Sequence, residues 1–94
     1  MVNNIITDEK LESYLELTSK ALSIVKENII PGRENDAKEI IEMAENYLSD
    51  ADHFKSRKNF VLAFGALNYA HGWIDAGVRL GIFDVHDDKL FTVK

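Results

Sequence analysis

Apolar residues recur every three or four positions through most of this chain, and that spacing constrains the fold more than any other feature. The clearest repeat lies in the middle of the chain and consists of Ala37, Ile40, Ile41, Ala44, Tyr47, Leu48, Ala51 and Phe54. An α-helix has about 3.6 residues per turn, so residues at this spacing line one face of a helix. The repeat therefore predicts an amphipathic helix, which we place at residues 35–57.

A first helix is predicted over residues 8–29, where apolar residues repeat with the same period. Thr7 precedes this repeat and has a side chain suited to an N-cap. Asp8 directly follows Thr7 and lies in the first turn of the helix, where the helix dipole favours a carboxylate. Pro31 disfavours helical geometry at the residue before it, so we expect the helix to end ahead of this proline.

A third helix is predicted over residues 60–80, with Asn59 as its N-cap and Gly81 just beyond its end. Its apolar residues fall on two stripes, which are Phe60, Phe64, Leu67, His71, Ile74 and Val78 on one side and Leu62, Ala66, Tyr69, Trp73, Ala76 and Leu80 on the other. Glycines at positions 65, 72 and 77 weaken a helix, so they predict close approach of another part of the structure. Two stripes predict that this helix packs between the other two.

Three helices of similar length with short connections predict an all-α fold, a three-helix up-and-down bundle that forms a single domain over residues 1–94. The tail, residues 82–94, contains two short apolar pieces around an Asp-Asp pair, which predicts a short extended arm or a small hairpin. The third helix is long enough to cross a bilayer, but it contains Asp75 and Arg79. Because each costs roughly 2.5 to 3.5 kcal/mol at the bilayer centre, we expect no membrane span.

Charge and cysteine content narrow the classes of function. The 94 residues carry 11 Lys and Arg against 16 Asp and Glu, and residues 34–52 alone hold seven acids and one base. Such a surface repels phosphate, which argues against nucleic acid as a partner. The chain has no cysteine and its amino terminus lacks the pattern of a secretion signal, so a cytoplasmic location is expected.

One group of residues has the chemistry of a ligand or metal site. His71 and Asp75 are four residues apart, which makes their side chains neighbours on a helix, and Asp50, Asp52 and His53 cluster near the end of the second helix. Histidine and carboxylate side chains are common ligands of divalent metals. A histidine within an apolar stripe is more often a hydrogen-bonded core residue, so the sequence predicts no cofactor and leaves this site as an alternative.

A second alternative concerns RNA. Arg79 and His86 are separated by six residues, a spacing that occurs in the Arg-x4-6-His motif of the helical HEPN-type ribonucleases. In this chain the histidine lies beyond Gly81, outside the helix that carries the arginine. The acidic second helix also has the wrong charge for an RNA cleft.

The second stripe of the third helix supports the leading hypothesis. Tyr69 and Trp73 are four residues apart and Leu62 continues their line, a pattern typical of binding surfaces. No serine lies in a nucleophile elbow and no glycine-rich loop follows a strand, so no catalytic residue is predicted. The sequence therefore favours a non-enzymatic protein that acts by protein contact, with a homodimer through this stripe as the first possibility.

Two runs of sequence also resemble a known family. They are AENYLSDA at residues 44–51, followed by Phe54, and AFGALNYAHGWIDAG at residues 63–77, of which the part from Tyr69 is the most specific. These two runs resemble the sequences of the domain of unknown function family 357, a set of short archaeal proteins, and the resemblance extends over most of the chain. It implies a compact three-helix bundle in an archaeal cytoplasm, and it carries no established activity or catalytic residue.

Overall fold

Three helices account for most of the chain. A computed structural model describes residues 6–86, and in chain order the helices are α1 (Asp8–Lys26), α2 (Glu34–Ser56) and α3 (Phe60–Arg79). This arrangement confirms the predicted all-α three-helix bundle. Within the described range, no helix combines the length and the apolar character that crossing a membrane requires.

Ion pairs between α1 and α2 show that these two helices are antiparallel. Glu12 near the start of α1 pairs with Lys55 near the end of α2. Lys26 at the end of α1 pairs with Glu45 at an Nζ to Oε2 distance of 2.6 Å. The third helix packs most extensively against α2 and less extensively against α1. The contact between α1 and α2 is the smallest of the three. The third helix therefore lies against both of the other helices, but its second apolar stripe does not pack as predicted, because Leu62, Tyr69 and Leu80 remain exposed.

Small side chains form much of the contact between α2 and α3. The buried residues are Ala37, Ile40, Ala44 and Ala51 in α2 and Ala63, Ala66, Leu67, Ala70, Ile74, Gly77 and Val78 in α3. The distance between two packed helices depends on the side chains at their contact, so alanines on both sides allow close approach. This tight pairing holds the remaining face of α3 in a defined orientation.

The first helix ends at Lys26, so the predicted end at residue 29 was wrong. The backbone N–H of Ile30 donates to the carbonyl of Ile82 at 2.9 Å. The N–H of Asp84 donates to the carbonyl of Asn28 at 2.7 Å. Backbone groups beyond α1 thus find partners in the segment that follows α3, which competes with another helical turn. The other predicted boundaries lie within one residue of the observed ones.

The segment after α3 folds back onto the bundle as extended chain. Ile82, Phe83 and Val85 are buried, and Phe83 forms an isolated antiparallel bridge with Ile29. A Cβ atom at Gly77 would lie 2.5 Å from a ring carbon of Phe83, which explains the glycine at that position. The second extended piece of the predicted tail, within residues 87–94, lies outside the described residues.

The predicted N-caps are confirmed. The hydroxyl of Thr7 accepts from the N–H of Lys10 at 3.1 Å, and the side-chain oxygen of Asn59 accepts from the N–H of Leu62 at 3.4 Å. Gly81 has a φ of +74° and follows the last turn of α3, as predicted. These groups satisfy backbone atoms that helix ends leave without intrahelical partners.

The same terminal motif closes α2 and α3 with different residues. The N–H of Ile82 donates to the carbonyl of Gly77 beyond α3, and the N–H of Asn59 donates to that of Phe54 beyond α2. Both are Schellman motifs, which place one residue in the left-handed region. In α3 that residue is a glycine, whereas in α2 it is Lys58, with a φ of 57°.

Candidate functional site

A polar network crosses the interface between α1 and α3. Thr18 is the one polar residue of the described chain that is buried, and its hydroxyl lies 3.3 Å from Nδ1 of His71. On the other side of the ring, Nε2 of His71 lies 3.6 Å from Oδ2 of Asp75. The His71 side chain is 15% exposed. The network therefore links a buried hydroxyl to a carboxylate at the rim of the helix interface.

Tyr14 extends this network along α1. Its hydroxyl donates to Oδ1 of Asn68 at 2.9 Å. The tyrosine ring lies 5.1 Å from the ring of Phe64 and 5.7 Å from that of His71, measured between centroids. Burial, and to a smaller extent the charge of Asp75, raises the pKa of Tyr14 above its ordinary value. The phenol therefore stays protonated and acts as a donor at neutral pH.

An open groove of about 870 Å³ lies beside Tyr14, between α1 and α3. Its lining residues are Glu9, Lys10, Ser13, Tyr14, Glu16, Leu17, Lys20, Phe64 and Asn68. The groove offers an aromatic floor, hydrogen-bonding groups and charges of both signs. These features suit a small polar ligand, although the mixed charge selects neither an anion nor a cation.

The α2 residues predicted to join His71 lie on the exposed surface of that helix. Asp50, Asp52 and His53 are exposed on α2, whereas His71 faces Thr18 of α1. Over residues 6–86, no three or more His, Cys, Asp or Glu side chains are grouped so that they could hold a metal ion.

The residues of the RNA alternative lie on different segments. Arg79 is exposed in the last turn of α3, and His86 follows the buried stretch beyond that helix. Nε2 of His86 lies 3.0 Å from Oδ1 of Asp84. The negative charge of Asp84 beside His86 works against the net positive charge that an RNA cleft requires.

The solvent side of α3 is apolar, unlike that of an ordinary surface helix. This outer face of α3 consists of Val61, Leu62, Gly65, Asn68, Tyr69, Gly72, Trp73, Ala76, Arg79 and Leu80. Tyr69 is 64% exposed and Leu62 is 49% exposed. Arg79 is the one charged residue in this set. Exposed apolar surface of this kind marks interaction sites in monomeric subunits.

The outer face has two flanks of different chemistry. The apolar flank, on the side of α2, consists of Leu62, Tyr69, Trp73 and Leu80. Tyr69 stacks on Tyr47 of α2 with a centroid distance of 5.2 Å and an interplanar angle of 20°. The polar flank, on the side of α1, consists of Asn68 and Arg79 with the apolar Val61 seven residues before Asn68, and the half-buried Asp75 borders it. A hollow of about 540 Å³ at the middle of α3 lies against both flanks.

The centre of the outer face is a line of small residues. Gly65, Gly72 and Ala76 follow one another at seven and four positions, which places them on one side of the helix. A Cβ atom at Gly65 or Gly72 would have no other atom of the described chain within 4 Å apart from its chain neighbours and its own helix backbone. Packing against Phe83 explains Gly77, but no contact among the described residues explains the glycines at 65 and 72.

Sequence reasoning missed the α1 side of the polar network. Thr18, Tyr14 and Asn68 are not among the site residues that the sequence predicts. A polar residue inside an apolar stripe was the available signal, because a buried hydroxyl needs a hydrogen-bond partner. The partner itself depends on how α1 and α3 are placed.

The fold and this outer face define a small three-helix bundle protein with a candidate docking surface on its third helix. A model of the family described as Protein of unknown function (DUF357) matches residues 13–83, which include all of α2 and α3. The chain therefore belongs to this family. Comparisons with curated proteins and with solved structures found no match.

Proposed function

We propose that this protein is a non-enzymatic interaction module that forms a homodimer through the apolar flank of α3. The supporting observation is that the large apolar side chains of Leu62, Tyr69 and Leu80 are exposed on one side of one helix. Trp73, half-buried, lies among them. Exposure of these apolar side chains to water is unfavourable, and side chains of this kind form the apolar core of protein interfaces.

The composition of the flank also fits a protein partner. Tyrosine and tryptophan are enriched among the residues that dominate binding energy, and here Tyr69 and Trp73 are adjacent on the surface. Tyr69 is already oriented by its stacking on Tyr47, which lowers the entropy that binding has to remove. We expect contact to occur in the cytoplasm of an archaeal cell, as the family resemblance implies.

Light scattering across a concentration series tests this proposal. The natural chain is expected to change from monomer to dimer as concentration rises, and Leu62→Arg or Trp73→Ala is expected to weaken the dimer at least tenfold. Leu17→Arg provides a matched control, because Leu17 is an exposed leucine of α1 outside this flank. A natural chain that stays monomeric at millimolar concentration contradicts the homodimer.

A ligand-binding function is the second candidate, and the polar network beside the α1–α3 groove favours it. His71 and Asp75 lie next to each other, and Tyr14 and Asn68 line the adjoining groove. Titration with Zn²⁺, followed by calorimetry and elemental analysis, tests the metal version of this function. Binding that His71→Ala removes and the exposed His53→Ala keeps supports it, and equal binding by all three chains contradicts it.

A further inference from the structure

We infer that the two copies in this homodimer are antiparallel, with their α3 helices crossing closely about a twofold axis between Asn68 and Tyr69. The inference rests on the proposed homodimer and names the arrangement of the second copy. It follows from the order of residues along the outer face of α3.

The small residues place the axis. Gly65 and Gly72 are equally far, along the helix, from the midpoint between Asn68 and Tyr69. A twofold axis through that midpoint therefore sets Gly65 of one copy against Gly72 of the second copy, twice. Two glycines in contact allow helix backbones to approach more closely than larger side chains do. Such a contact explains two glycines that no contact within residues 6–86 accounts for.

The apolar flank is self-complementary about the same axis. Because this axis is perpendicular to α3, it keeps each flank on its own side and reverses the helix direction. Tyr69 then lies beside Tyr69 of the second copy, and Leu62 lies against Trp73. An isologous interface requires such matching of a surface with itself.

A parallel dimer lacks this match. An axis along α3 exchanges the two flanks, so the apolar flank of one copy faces the polar flank of the other. Trp73 and Leu80 then lie against Asp75 and Arg79 of the second copy. Covering Asp75 and Arg79 with apolar side chains removes these polar groups from water, which is unfavourable, so the apolar flank disfavours the parallel arrangement.

Charge on α2 is compatible with a second copy in the antiparallel arrangement. The first turn of α2 contains Glu34 and Asp36, and its end is followed by Arg57 and Lys58. A perpendicular axis leaves the two α2 helices on the same side of the dimer, running in opposite directions. The acidic end of one copy is then at the level of the basic end of the other. This pairing offsets part of the repulsion between two chains that each carry a net charge of -5.

Asn68 lies next to the axis and has a defined orientation. Its Oδ1 accepts the hydroxyl of Tyr14, so its amide nitrogen points away from that bond with two donors. In the antiparallel dimer the two Asn68 side chains are neighbours, and each amide can donate to the second copy. A polar pair inside an apolar contact helps to specify register, as a buried asparagine does in coiled coils.

Cysteine crosslinking tests the direction of the helices, since the natural chain has no cysteine. Asn68→Cys and Tyr69→Cys are expected to form disulfide-linked dimers on mild oxidation, because both positions lie at the axis. Val61→Cys is expected to remain unlinked on its own, since its two copies are about 22 Å apart along the helix at 1.5 Å per residue. When Val61→Cys and Ala76→Cys chains are mixed, a disulfide is expected to form between one chain of each kind.

Efficient self-linking of the Val61→Cys chain, together with no linking between Val61→Cys and Ala76→Cys, overturns the antiparallel arrangement. Failure of both Asn68→Cys and Tyr69→Cys to link in a chain that dimerises overturns it as well. A natural chain that stays monomeric in light scattering contradicts the homodimer itself. The two measurements therefore separate an error in direction from an error in the proposed function. Circular dichroism of each variant shows that the helices are retained.

Discussion

The hydroxyl of Thr18 and Nδ1 of His71 lie 3.3 Å apart across the interface of α1 and α3. Each residue comes from the middle of its helix, and together they give this interface a polar contact inside an otherwise apolar core. A buried hydrogen bond of this kind contributes modestly to stability, but loss of one partner leaves the other unsatisfied.

Thr18→Val removes this contact with little change in shape. The variant is expected to lower the free energy of unfolding by about 1 to 2 kcal/mol, because the His71 ring loses a partner in a largely buried position. Urea denaturation followed by circular dichroism measures the change. Ser19→Ala, at the exposed neighbouring position, is expected to have little effect. Equal stability of the Thr18→Val and natural chains contradicts a structural role for the contact.

The raised pKa of Tyr14 predicts that the folded chain loses stability in alkaline solution. This pKa is raised in the folded chain by burial and by Asp75, so the folded state holds the phenolic proton more tightly than the unfolded state does. The resulting stabilisation is complete below the unfolded pKa of 10.0 and is lost as pH rises through the higher folded value.

Denaturation of the natural chain and the Tyr14→Phe variant between pH 8 and pH 11 tests this linkage. The difference in stability between the two chains is expected to shrink as pH rises, because Tyr14→Phe has no proton to lose. Ultraviolet titration of the phenol provides a second measurement. A constant difference across the whole range contradicts the prediction.

The three helical glycines are expected to respond differently to alanine. Gly77→Ala places a methyl group against Phe83 and is expected to destabilise the chain by about 1 to 3 kcal/mol. Gly65→Ala and Gly72→Ala meet open space, so each is expected to stabilise the monomer by up to about 1 kcal/mol through helix propensity. Thermal denaturation at low protein concentration measures these effects. Destabilisation of the monomer by Gly65→Ala or Gly72→Ala contradicts the assigned open space.

Lys58→Gly is expected to stabilise the chain. Lys58 has a φ of 57°, a conformation that costs about 1 kcal/mol for a residue with a Cβ atom and little for glycine. Gly81→Ala makes the opposite change at the matching position after α3 and is expected to destabilise. Chemical denaturation of both variants checks the opposite signs, and a shift in the same direction for both contradicts the explanation.

Most of the fold could be predicted from local sequence. The apolar repeat located all three helices, and Thr7, Asn59 and Gly81 marked their ends, because caps act on backbone groups within a few residues. The end of α1 was wrong because the partner of residues 28–30 is the segment at 82–84. A contact between residues so far apart in sequence leaves no local signal.

The candidate sites could likewise be predicted only where they depend on local sequence. The spacing of Leu62, Tyr69 and Trp73 predicted a second apolar stripe on α3, and helical periodicity alone is sufficient for that. Which part of α3 faces solvent depended on how α2 covers Ala66 and Ala70. The contacts of His71 with α1, and the exposure of Asp50, Asp52 and His53 on α2, also required the assembled bundle.

The sequence by itself determined the helices, their caps and the excess of apolar surface on α3, because these depend on spacing within one segment. The tertiary structure alone decided that the Phe83 ring packs against Gly77, whereas Gly65 and Gly72 face outward. It also decided that the Thr18 hydroxyl contacts the His71 ring. These relationships join segments that are far apart in the chain. Burial and hydrogen bonding between such segments depend on packing geometry, which periodicity does not specify.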